Sequence, residues 1–267
     1  MFSNWTYIHV ITLIPALVIF VVSAIALGIW LKKYDENVRL IPIHFITVLL
    51  VALELVKQVK SLIAGYQLTK LPLYYCSLFL VLYVLTSLYR GKHKDCIRLL
   101  TVTSGITLLA TMLIMPDLIY SNNAVKNMFN DFDDFHTVLY HNLVLLGTML
   151  MMTLGFCKIK VKRDYLVSTI FYTAYCWVAA PFANLLGVNY NNFQSTRVGF
   201  VENNRLWLID NIGYFFGQSM YVLLATFTTV GFSLIMYTVM VVVKKVTHKE
   251  WVAQETVEEE EKENFES

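Results

Sequence analysis

Charge is what this chain has least of. Only 15% of its 267 residues are charged while 57% are hydrophobic, against roughly 25% and about 45–50% in an ordinary soluble domain. That poverty excludes a water-soluble globule and makes a lipid bilayer the expected solvent. Cysteine is also scarce. Cys76, Cys96, Cys157 and Cys176 are widely spaced and form no C-x-x-C pair, which argues against a disulfide scaffold or a zinc site. The chain has no Gly-rich phosphate loop, no H-E-x-x-H and no repeat of 20–50 residues, so nucleotide hydrolysis, metalloprotease chemistry and solenoid architectures lose their usual signatures. The first apolar run is too long for a signal-peptide core and has no basic flank before it, so no cleavable leader is expected.

What is present is a series of long apolar runs. Stretches of about 18 or more such residues read as membrane-spanning helices. Seven occur, near 8–31, 40–60, 71–89, 98–116, 136–157, 165–187 and 214–243. The expected fold is therefore all-α, a polytopic bundle of seven transmembrane helices over 1–245. An acidic tail, 246–267, follows with eight Glu against Lys249 and Lys262; it is too polar to bury a core and is expected to be disordered. The loop 117–135 is expected to be irregular. The loop 188–213, with Phe193, Phe200, Leu206, Trp207 and Leu208, is expected to dock on the membrane.

The basic residues lie in alternate short loops. Lys32, Lys33 and Arg39, then Arg90, Lys92, Lys94 and Arg98, then Lys158, Lys160, Lys162 and Arg163, then Lys244 and Lys245 share one side. Lys and Arg accumulate in cytoplasmic loops, so the N-terminus is expected outside and the tail in the cytoplasm. The same distribution argues against nucleic acid as a partner, because the positive charge serves orientation.

Two stretches carry chemistry. Leu71-Pro72-Leu73-Tyr74-Tyr75-Cys76 opens the third run with Pro72 suited to a first helical turn and Thr69 as its cap. Phe135-His136-Thr137-Val138-Leu139-Tyr140-His141 opens the fifth. Each places a reactive side chain roughly 7 Å inside its helix, at 1.5 Å per residue, on the external side. His136 and His141 are about 140° apart around a helix, so they do not face one partner, and His141 is the better base for the thiol. A thiolate is the nucleophilic form of cysteine and histidine generates it. Their layer is that of phospholipid ester carbonyls. Glu54, Lys57 and Gln58 share one face of the second run and read either as a self-neutralising pair or as a polar wall beside Cys76. By residue type alone, a packed cysteine and hydrogen-bonding histidines that glue helices are the commoner outcome.

The segment Leu53-Glu54-Leu55, then Leu71-Pro72-Leu73-x-x-Cys76-Ser77-Leu78, the His141 helix, and Asn189-Tyr190 after the sixth run resemble the YwaF-like integral membrane family over roughly residues 40–240. That family is similar to eukaryotic transmembrane acyltransferases that use a Cys and a His to load lysophospholipids. The resemblance implies that Cys76 carries the acyl group, that His141 is its base with His136 at the rim, and that Glu54, Lys57, Gln58, Asn189 and Tyr190 bind substrate. It further implies membrane phospholipid as solvent and substrate, no cofactor or metal, no protein partner, and a bacterial cell membrane as the site. Tyr74 stands where relatives tend to carry His or Gln. The alternative is a non-enzymatic protein that binds or transports a small solute through an outward pocket lined by Glu54, Lys57, Gln58, His136 and His141. Against it, no inverted repeat or broken half-helix pair is visible.

Overall fold

The structure, a computed structural model, describes residues 5–116, 119–120, 122–196 and 198–247. The acidic tail beyond 247 and residues Asp117 and Arg197 of the 117–135 and 188–213 loops lie outside them. Among the described residues the elements are helices: α1 (Tyr7–Leu31), α2 (Glu36–Ile63), α3 (Leu78–Leu88), α4 (Lys94–Ile114), α5 (Asn122–Asn127), α6 (Phe132–Thr153), α7 (Val161–Leu186), α8 (Gly199–Ile212) and α9 (Tyr214–Thr247). Six of them, α1, α2, α4, α6, α7 and α9, are long and apolar enough to cross a membrane.

The core runs through α6, which packs on α1, α2 and α4, and through α9, which packs on α4, α7 and α8. Among the six spans the most apolar is the least buried, and the least apolar is among the most buried. The most apolar window of α1 has a mean hydropathy of 2.8 with 11% of it buried, whereas that of α6 is 1.3 with 61% buried. Lipid-facing surface costs nothing to leave uncovered, so burial here follows packing and polar contact rather than hydrophobicity. Helices approach closely where side chains are small: a Cβ on Gly105 or Gly147 would overlap the side chain of Thr148 or Tyr83. Hydroxyls then bridge the helices, with Thr47 Oγ1 2.7 Å from Ser87 Oγ, and Thr86 Oγ1 2.9 Å from Thr101 Oγ1.

The expected third span differs. Residues 71–89 do not form one helix. A single 3₁₀ turn at Leu68–Lys70 leads into extended backbone at Leu71 and Tyr74, a second 3₁₀ turn covers Tyr75–Ser77, and α3 follows with 11 residues. At 1.5 Å per residue α3 is about 16 Å long, roughly half of a hydrocarbon core. Part of the cause is local: Pro72 supplies no amide donor and holds Leu71 out of the helical region. The loop 117–135 is also less irregular than expected. It contains α5, and α6 begins at Phe132 rather than 136 because Asp131 accepts from the Asp133 and Asp134 amides, an N-cap. The loop 188–213 holds α8, with Phe200, Leu206, Trp207 and Ile212 exposed.

The bundle has two unlike ends. At one, Arg39 Nη1 donates to the Leu154 carbonyl (3.0 Å), and the Arg39 and Arg98 guanidinium groups lie 5.6 and 4.8 Å from the Phe156 ring centre. Lys94 and Arg98 both pair with Glu36, at 3.0 and 2.7 Å, and Lys244 reaches the Cys157 carbonyl. At the other end Trp5 Nε1 donates to the Leu113 carbonyl (2.9 Å), His9 Nε2 meets the Tyr120 carbonyl (3.0 Å), and both chemistry-bearing stretches are found.

Candidate functional site

Cys76 sits in the 3₁₀ turn ahead of α3, half-buried rather than a turn inside a helix. Its turn is held from three directions. Asn191 Oδ1 accepts from the Tyr75 amide (2.6 Å) and Asn191 Nδ2 donates to the Leu73 carbonyl (2.9 Å). Tyr175 Oη donates to that same carbonyl (3.0 Å) and accepts from Asn191 Nδ2 (2.5 Å). Tyr140 Oη donates to the Cys76 carbonyl itself (3.2 Å). These bonds occupy the backbone groups that a continuous helix would have used, which completes the account of why the third run breaks here.

Asn191 does this in a left-handed backbone conformation, φ +51°, one that asparagine tolerates better than most residues. Its neighbours in the loop serve the same end. Asn189 Oδ1 accepts from the Gln194 and Ser195 amides at 3.0 and 3.2 Å. The fully buried Tyr190 donates to the Leu68 carbonyl and sets its ring edge-on to Tyr74, with centroids 5.1 Å apart. Asn189 and Tyr190 therefore shape the loop and the 68–74 segment. The residues that touch the Cys76 turn, Asn191, Tyr175 and Tyr140, are the ones the sequence reading missed.

On α6, Tyr140 lies between the two histidines. His136 stacks on its ring at 5.3 Å, and His141 meets it edge-on at 5.8 Å. The imidazoles face different partners. His136 Nε2 is 3.4 Å from Glu54 Oε2, within ion-pair reach but without the alignment of a hydrogen bond. His141 Nδ1 lies 2.6 Å from the Thr137 carbonyl. A carbonyl only accepts, so that contact assigns the proton to Nδ1 and leaves the lone pair on Nε2. Among the described residues neither imidazole hydrogen-bonds Cys76 Sγ; Tyr140 touches both the Cys76 backbone carbonyl and the His141 ring. Thiol–base contacts are often loose without substrate.

Glu54 is saturated by its own helix. Oε2 is 2.7 Å from Lys57 Nζ and Oε1 is 2.6 Å from Gln58 Nε2. Gln58 also donates to the Lys70 carbonyl (2.9 Å) and accepts from Tyr66 Oη (3.0 Å). The network continues to Asp133 of α6, which pairs with Lys70 at 2.8 Å and Lys60 at 3.6 Å. It is a polar rim linking α2, the 64–70 loop and α6 at the end of the bundle that carries Cys76. A family model matches residues 1–237, nearly the whole chain. The chain belongs to the TMEM164 family. No curated protein and no solved structure matches it. Membership of a transmembrane family agrees with the six apolar helices and makes this a multi-pass membrane protein.

Proposed function

We propose that this TMEM164-family protein moves acyl chains between membrane phospholipids through a thioester on Cys76. The observation that carries the reading is the Tyr140 bond to the Cys76 carbonyl beside an imidazole whose Nε2 lone pair is left open. The resemblance to Cys/His membrane acyltransferases supports it. In the first half-reaction the Cys76 proton passes to His141 Nε2 as sulfur attacks an ester carbonyl. The ester C–O bond breaks, and the leaving alkoxide takes the proton back from His141. In the second, a lysolipid hydroxyl gives its proton to His141 and attacks the thioester. The C–S bond breaks and the thiolate recovers the proton. Water in place of the lysolipid makes the protein an esterase by the same steps. No metal or cofactor enters this scheme.

The reading also orients the bundle. Thirteen of the 21 Lys and Arg belong to the end opposite Cys76, so by the positive-inside rule the site faces the outer leaflet and α9 ends in the cytoplasm. The short α3 would then begin at the depth of ester carbonyls. The solute-pocket reading has less support, because Glu54 is occupied by Lys57 and Gln58. The test is acyl exchange by the purified protein between a fluorescent phospholipid and a lysolipid. Wild type should exchange, Cys76→Ala should not, and His141→Gln should be slowed at least a hundredfold, the usual scale of general acid–base assistance. Equal exchange by wild type and Cys76→Ala ends the proposal.

A further inference from the structure

The polar rim leaves an opening. Lys57, Lys60, Ser61, Ala64, Gln67, Lys70 and Asp133 line a small cleft of about 80 Å³ between α2, the 64–70 loop and the start of α6. Lys57 is already paired with Glu54, and the remaining two ammonium groups, Lys60 and Lys70, against the one carboxylate of Asp133 leave the lining net positive. Lys60 and Lys70 share Asp133, so one carboxylate serves two cations. The last turn of α2 adds carbonyl dipoles worth about half a negative charge, which the lysines outweigh. Ser61 is 8% exposed, and its hydroxyl oxygen has no hydrogen-bond partner. A buried hydroxyl left so is costly, and here it lines a cationic cleft. Lys60 also lines a neighbouring apolar groove formed by Leu55, Val56, Val59 and Ile63.

We infer that this cleft is a phosphate subsite: Lys60, Lys70 and Lys57 take the phosphodiester of a glycerophospholipid, Ser61 donates to one of its oxygens, and the apolar groove takes an acyl chain. This deepens the acyl-transfer reading and rests on it for the identity of the substrate. A series of contacts links the cleft to the turn that carries Cys76. Lys57 pairs with Glu54, Glu54 lies 3.4 Å from His136, His136 stacks on Tyr140, and Tyr140 bonds the Cys76 carbonyl. A lipid held by its phosphate here lies along the same rim as the candidate nucleophile.

Asp133 makes the inference testable by sign. If the ligand is an anion, Asp133 competes with it for Lys60 and Lys70; if the ligand is a cation, Asp133 is its anchor. The experiment uses the full chain with Cys76→Ala, so that nothing turns over. It measures binding of oleoyl-lysophosphatidylglycerol, whose head group carries no cation, and of monooleoylglycerol, which lacks the phosphate, by native mass spectrometry. Lys60→Gln with Lys70→Gln should weaken the phosphate lipid about tenfold or more, the scale of charged hydrogen bonds, and leave monooleoylglycerol unchanged. Asp133→Asn, which deletes no cation, should tighten the phosphate lipid several-fold. Competition by inorganic phosphate assigns the cleft to phosphate as such, and lack of competition assigns it to lipid-borne phosphate; either supports the subsite. Equal affinity for the two lipids, or weaker phosphate-lipid binding by Asp133→Asn, overturns it. Absence of acyl exchange by wild type would remove the enzymatic reading while leaving a positive binding result intact.

Discussion

Asn191→Ala should release the turn that carries Cys76. The side chain accepts from the Tyr75 amide and donates to the Leu73 carbonyl, and each such bond is worth about 1 kcal/mol net. Alanine at φ +51° adds roughly 1 kcal/mol of left-handed strain. The sum, about 3 kcal/mol, multiplies the opening equilibrium of residues 71–77 by on the order of a hundred, at tenfold per 1.4 kcal/mol. Asn191→Gly loses the same two bonds without the strain, and about 2 kcal/mol corresponds to roughly thirtyfold. The assay is maleimide labelling of Cys76 in a chain whose Cys96, Cys157 and Cys176 are serine, at reagent concentrations where opening is faster than capture. Alanine should label faster than glycine, and both faster than asparagine. Rates within twofold of one another for all three residues would mean that Asn191 does not hold the turn, and the account of why the third run breaks would fall with it.

Other parts of the bundle give further expectations. Gly105→Ala places a methyl on the Thr148 side chain and should cost about 1–3 kcal/mol in a denaturant titration, as overpacking does; adding Thr148→Ala should restore most of it. Phe156→Leu removes the ring under Arg39 and Arg98 and should lower stability by about 1–2 kcal/mol, from two cation–π contacts of some 0.5–1 kcal/mol each. The Arg205 guanidinium, 2.5 Å from Glu202, holds that carboxyl below its ordinary range. A carboxylate with a depressed folded pKa stabilises above its unfolded value, near 4.3, and loses that contribution as pH falls through the folded one. The α8 start, where Glu202 also accepts from the Thr196 amide, should therefore loosen on acidification below about pH 4. Anisotropy of Trp207 as the sole tryptophan reports this, and Glu202→Gln should be loosened at neutral pH with the pH step gone.

How far the molecule was legible divides along one physical line. A span is announced by composition over about 20 residues, and six of the seven expected spans are long apolar helices within a few residues of their expected limits. Where composition and backbone chemistry disagree, composition misleads: residues 71–89 are largely apolar, yet Pro72 and three distant polar side chains decide that 71–77 do not join the α-helix. By sequence Pro72 suits a first helical turn with Thr69 as its cap, and the extended backbone at Leu71 and Tyr74 overturns that expectation. Asp131 shows the converse. An aspartate five residues ahead of the apolar stretch, followed by Asp133 and Asp134, marks an N-cap with an acidic first turn, and it moves the start of α6 from 136 to Phe132.

The contacts that define the candidate site are of another kind. Asn191 is 116 residues from Tyr75 and Tyr140 is 64 from Cys76, and no periodicity within either segment encodes such a meeting. The Asn189–Asn192 run did carry a usable sign, since consecutive asparagines favour left-handed backbone and free their amides for remote carbonyls. Helical spacing also separates the tasks of the histidines. A five-residue offset turns His136 toward Glu54 and His141 toward Thr137, with Tyr140 between them bonded to the turn that carries the thiol. If Cys76 reacts as proposed, Tyr140→Phe, which keeps both ring contacts and deletes only the bond to the Cys76 carbonyl, should reduce acyl exchange without unfolding α6. Loss of that one bond, worth about 1 kcal/mol, should slow exchange roughly fivefold if the turn's position sets the rate. Unchanged exchange by Tyr140→Phe would show that thiol and base are aligned by the substrate rather than by the fold.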